Sequence, residues 1–65
     1  MLKLSGPILK VDTRGDNSYI KVLNDDEVIE VKVNKDNTYE MGEMIELEVR
    51  FSCYNNRLYC KEVTN

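Results

Sequence analysis

Three stretches of this chain alternate apolar side chains with polar or charged ones: "YIKVL" (19–23), "VIEVKV" (28–33) and "MIELEVRF" (44–51). A period of two puts successive side chains on opposite faces of an extended backbone. Only half-buried strands satisfy that pattern, and the β-branched content agrees. No segment holds the helical period for three turns. The alternation therefore predicts an all-β protein with one wet face and one dry face.

Turn-forming residues divide the alternating stretches: "TRGDN" (13–17), "NDDE" (24–27), "NKDNTYEMGE" (34–43) and "YNNR" (54–57). Glycine, asparagine and aspartate supply the left-handed or self-capped conformations that tight turns need. Five strands follow, at about 2–12, 18–24, 27–33, 43–53 and 57–63. The first is long and carries Gly6-Pro7. Proline has no N–H for a ladder and glycine tolerates a bulge, so the pair predicts either a bend between two parts of a curved sheet or the plain start of an edge strand.

The turns also set the register. With Asp25-Asp26 as a two-residue loop, Leu23 faces Val28, Val22 faces Ile29, Lys21 faces Glu30 and Tyr19 faces Lys32. Ile20, Val22, Ile29 and Val31 then share one side, while Tyr19, Lys21, Glu30 and Lys32 share the other. With Asn55-Asn56 as a type I′ turn, Tyr54 faces Arg57, Cys53 faces Leu58, Ser52 faces Tyr59 and Phe51 faces Cys60. The expected core is Leu2, Leu4, Leu9, Val11, Ile20, Val22, Ile29, Val31, Val33, Ile45, Leu47, Val49, Phe51, Leu58 and Cys60. Cys53 and Cys60 point inward and lie diagonal to each other, too far apart for a disulfide; both are expected as buried thiols.

With 65 residues, the chain forms one domain, 1–65, and buries only about 60% of the surface it exposes unfolded. Little room remains for an enclosed catalytic cavity. The sequence has no histidine, the commonest general base and metal ligand. Carboxylate pairs such as Asp25/Asp26 and Glu46/Glu48 have no second catalytic residue type at a meaningful spacing. No enzyme, metal or cofactor is expected. No apolar run approaches a membrane span, the amino-terminal stretch lacks a continuous apolar segment of the signal-peptide kind, and a cytoplasmic location is expected.

The net charge is −3, which argues against attachment to nucleic acid by bulk charge. Its distribution is uneven. Residues 1–24 hold Lys3, Lys10, Arg14 and Lys21 against Asp12 and Asp16. Residues 25–48 hold only Lys32 and Lys35 against Asp25, Asp26, Glu27, Glu30, Asp36, Glu40, Glu43, Glu46 and Glu48. Residues 49–65 return to net positive. The outward side of the last hairpin, Arg50, Tyr54, Arg57, Tyr59 and Lys61, interleaves rings with cations, as single-stranded nucleic acid requires. An ordinary solvated strand face draws on the same residue types.

The order of hairpins, the long bent first strand and the segment "MGEMIELEVRFSCYNNRLYCKEV" resemble the OB-fold, and the pattern is similar to the end of the small single-stranded-DNA-binding proteins of filamentous phages. SH3-like barrels share much of it. The expected fold is a small five-stranded antiparallel barrel, OB-like first and SH3-like second. The resemblance implies oligonucleotide binding on strands two and three and the flanking loops: Tyr19, Tyr54 and Tyr59 would stack on bases, and Arg14, Lys21, Lys32, Arg57 and Lys61 would meet phosphates. The short connection before strand four departs from the family by leaving no room for a capping helix. Closing the barrel then falls to Tyr39, Met41 and Met44, or to a second subunit. The alternative is an acidic protein-interaction module or inhibitor of phage or mobile-element type, presenting Asp25, Asp26, Glu27, Glu40 and Glu43 to a basic protein partner.

Overall fold

The computed structural model describes residues 2–34, 37–54 and 57–63, the side chains of 53, 54 and 57–59 excepted. Its five strands are β1 (Leu2–Arg14), β2 (Asn17–Asn24), β3 (Glu27–Val33), β4 (Met44–Tyr54) and β5 (Arg57–Glu62). They close into a barrel in the order β1-β2-β3-β5-β4, with β1 also paired to β4. Strands β4, β1, β2 and β3 thus lie side by side in Greek-key order. Four ladders are antiparallel, as expected. The closing β3–β5 ladder, Val31 to Cys60 and Lys32 to Lys61, is parallel, which corrects the expectation of a purely antiparallel barrel. With β4 lying against β1, β5 turns back antiparallel to β4 and meets β3 running the same way.

Both hairpin registers are the ones the turns predict. Tyr19 faces Lys32 and Leu23 faces Val28 across β2–β3; Phe51 faces Cys60 and Tyr54 faces Arg57 across β4–β5. The Asn55-Asn56 turn lies outside the described residues, as does any pairing of Cys53. Both described hairpin loops carry a positive φ at the first of their two residues, Gly15 (61°) and Asp25 (55°).

The long first strand serves two halves of the barrel. Leu2–Pro7 pairs with β4, and Ile8–Arg14 pairs with β2. The changeover falls at Gly6-Pro7, as a bend there requires. Gly6 has φ 149°, a value L side chains rarely adopt, and a Cβ there would overlap the Leu23 carbonyl oxygen. A separate bulge at Leu9 shifts the register between Ile8 and Lys10. The inward phase therefore runs Leu4, Gly6, Ile8 and then switches to Val11, with one extra residue between.

The buried core is Leu4, Ile8, Ile20, Val22, Val31, Val33, Val49 and Cys60, with Ile29, Tyr39, Ile45 and Leu47 packed against it. Four expected core residues are exposed instead: Leu2 (54%), Leu9, Val11 and Phe51 (51%). Leu2 begins the chain's first strand, Leu9 is the bulge residue, and Val11 lies near the end of β1. Phe51 sits beyond the last β1–β4 pair, Leu2 with Val49, and among the described residues β4 is paired there with β5 alone. The two strands continue from this point as a β4–β5 arm. Ile8, absent from the expected core, is 1% exposed. Leu58 lies outside the described side chains.

Candidate nucleic-acid interface

Cross-strand partners place one outward residue from each strand in a continuous row. Asp12 of β1 faces Tyr19 of β2, Tyr19 faces Lys32 of β3, Lys32 neighbours Lys61 of β5, and Lys61 faces Arg50 of β4. From Val49, next to Arg50, the ladder returns to β1 at Leu2, far along the strand from Asp12. The row therefore winds obliquely round the barrel, as the stagger of a closed sheet demands. Inward neighbours Ile20, Val31, Val33 and Cys60 are buried, which turns Tyr19, Lys32 and Lys61 to the outside. A second outward row runs Lys10, Lys21, Glu30.

These rows carry five cations: Lys10, Lys21, Lys32, Arg50 and Lys61. No ion pair among the described residues includes any of them; the pairs present are Lys3–Glu46, Arg14–Asp12 and Arg14–Glu30. Arg14 is different. Its guanidinium donates to Asp12 at 3.0 Å and to Glu30 at 2.7 Å, and its Cζ lies 4.3 Å from the centre of the Tyr19 ring. The hydrogen bond from Arg14 holds the Asp12 carboxyl below its ordinary range. Arg14 thus covers one face of Tyr19, clamped by two carboxylates that more than offset its charge.

Of the eight residues the sequence points to, Tyr19, Lys21, Lys32 and Lys61 come together on this outer surface. Arg14 joins them as the clamp on Tyr19. Tyr54, Arg57 and Tyr59 take the expected register positions on the β4–β5 arm, and their side chains lie outside the described residues. Two further groups belong to the surface. Arg50 completes the row. Lys10 arrives opposite Lys21 through the Leu9 bulge, which leaves no mark in the periodicity. Phe51, read as core from its phase, is half exposed and, opposite Cys60, lies on the other side of the β4–β5 ladder from Arg50 and Lys61.

No family model, curated protein or solved structure matches this chain.

The connection from β3 to β4 is anchored beside this surface by a carboxylate the sequence reading passed over. Glu62, next to Lys61, is 7% exposed. It accepts hydrogen bonds from the Asn34 backbone N–H at 3.0 Å, the Asn37 side-chain amide at 3.1 Å and the Tyr39 hydroxyl at 2.7 Å. Burial and the neighbouring Glu62 push the Tyr39 phenol well above its usual value. At the other end of the connection, Gly42 N–H donates to the Ile8 carbonyl and Ile8 N–H to the Glu43 carbonyl. Tyr39 does pack against the core, as expected. Met41 and Met44 do not: they are 69% and 72% exposed, because polar groups, not methionines, tie this segment down.

Proposed function

We propose that this chain is a small non-enzymatic protein that binds single-stranded nucleic acid on the outer face of β2, β3 and β5 and on the β4–β5 arm. The observation that carries the reading is the row in which a tyrosine is followed, strand by strand, by three cations with no carboxylate partner among the described residues: Tyr19, Lys32, Lys61 and Arg50. Bases stack on rings whatever their sequence, and cations follow the phosphates. Lys10 and Lys21 extend the cationic surface, and Tyr54, Arg57 and Tyr59 hold register positions on the β4–β5 arm that would extend it further. The Greek-key order supports the OB-like reading over the SH3-like one, since OB barrels are five-stranded Greek-key barrels that bind oligonucleotides in this region. One site of this size binds weakly, and further copies on the same strand would add avidity.

In this reading Arg14 orients Tyr19 and meets phosphate only when released from its carboxylates. Replacing Asp12→Asn together with Glu30→Gln frees one cation, so affinity for a single strand rises several-fold and the salt slope steepens by about 0.7. An unchanged slope would mean that Arg14 takes no part. The reading as a whole is tested by electrophoretic shift at low salt. Single-stranded DNA is retarded at micromolar protein and duplex less strongly, because paired bases present no free faces. Retardation of neither at high micromolar protein rejects it.

A further inference from the structure

The bend in β1 leaves a second feature that the nucleic-acid surface does not use. Where β1 changes partner, an open groove of about 580 Å³ lies against Gly6, Pro7, Leu23, Met44 and Ile45, with Asp25 and Glu46 on its rim. Gly6 lets β1 and β2 approach closely beneath it: the Leu23 carbonyl occupies the place a Cβ would take. Met44 is exposed on one wall. Val28, which faces Leu23 across the hairpin, adds a further exposed apolar side chain nearby.

The surroundings are acidic. Asp25, Asp26 and Glu27 are exposed in the β2–β3 hairpin, and Glu43 and Glu46 are exposed at the start of β4. The cation beside them, Lys3, already pairs with Glu46 at 3.3 Å. Lys21, two positions before Leu23, marks where this acidic surface gives way to the cationic one. Tyr19 and Leu23 are four residues apart on β2, roughly 13 Å at the rise of a strand. The groove and the row Tyr19–Lys32–Lys61–Arg50 are thus separate surfaces of opposite charge.

We propose that this groove is a docking site for a peptide segment of a partner protein in which one apolar side chain is flanked by lysine or arginine. The apolar residue would lie against Pro7, Leu23 and Met44, and the flanking cations would meet Asp25 and, in exchange for the exposed Lys3, Glu46. Charge selects this occupant. A nucleic-acid strand is repelled by the same carboxylates, and an acidic or neutral peptide gains nothing from them. Because the two surfaces are separate, the peptide and a single strand bind the same molecule together.

The experiment is a titration of the ¹⁵N-labelled protein, followed by amide shifts, with three short peptides. Each has a central leucine, flanked by lysine and arginine, by serine, or by glutamate. The first peptide is expected to give saturable shifts at Ser5, Gly6, Leu23, Ile45 and Glu46 and none along Lys32 and Lys61. The serine and glutamate peptides should bind at least tenfold more weakly. Asp25→Asn with Glu46→Gln, both at exposed positions and both near-isosteric, should weaken the basic peptide at least fivefold while the rest of the spectrum stays unchanged. Equal binding of all three peptides, absence of binding, or shifts confined to the cationic row overturns the proposal. Concentration-dependent shifts of the groove amides without peptide also overturn it, by making a second copy the occupant. Groove shifts on adding oligothymidylate would do so by making it part of the nucleic-acid site.

Discussion

Gly6 and Glu62 each join separate elements of the fold through a single residue. At Gly6 the backbone adopts φ 149° against the Leu23 carbonyl, so a methyl group has neither the conformation nor the space. Gly6→Ala should lower the unfolding free energy by at least about 2 kcal/mol, read from the urea midpoint. Glu62 gathers Asn34, Asn37 and Tyr39 around one carboxylate, and this arrangement has a pH signature. The Tyr39 phenol is raised in the folded state, so its contribution to stability is fully present below the ordinary tyrosine range, near pH 10. It is lost as pH rises from there, because the unfolded chain gives up the proton first. Tyr39→Phe should reduce stability at neutral pH by about 1 kcal/mol and flatten the decline above pH 10. An identical alkaline slope in the variant would show that Tyr39 is not its source.

At the scale of elements, the β-hairpins and the bulge show what local chemistry can specify. Asp25 holds a left-handed conformation that costs an L residue roughly 1 kcal/mol, and Gly15 occupies the corresponding position of the β1–β2 loop at no such cost. Asp25→Gly should therefore stabilise the protein by up to about 1 kcal/mol in thermal or urea unfolding. Both hairpin registers were legible because a two-residue loop and a period of two leave one solution that keeps Ile20, Val22, Ile29 and Val31 together. The changeover at Gly6-Pro7 was legible for a similar reason: the two residues least suited to a continuous ladder stand side by side. The bulge at Leu9 was not, since leucine carries no turn signal and the extra residue simply exchanges the phase. Because the exchange comes after Ile8, that residue keeps the inward phase of Leu4 and is buried, while Lys10 is turned to the cationic surface. Phe51 was misplaced because phase decides which way a side chain points and says nothing about whether a neighbouring strand is there to cover it.

For the whole molecule, the barrel gathers charge that the sequence spreads along its length. Tyr19, Lys32, Lys61 and Arg50 come from four strands and meet only through the β2–β3, β3–β5 and β4–β5 ladders. The parallel β3–β5 contact joins Lys32 to Lys61 and was invisible to hairpin reasoning, which pairs only consecutive strands. A net charge of −3 therefore coexists with a locally cationic face, the compensating acids lying on the β2–β3 hairpin and the early part of β4. The most direct measurement is the fluorescence anisotropy of a labelled oligothymidylate titrated with protein across a salt series, for the parent chain, Tyr19→Ala, and Lys32→Gln with Lys61→Gln. Binding should weaken with salt, Tyr19→Ala should cost about 1–3 kcal/mol, and the double lysine variant should reduce the salt slope by about 1.4. Binding that is absent at low salt, or the same in all three proteins, would contradict a nucleic-acid surface on this row.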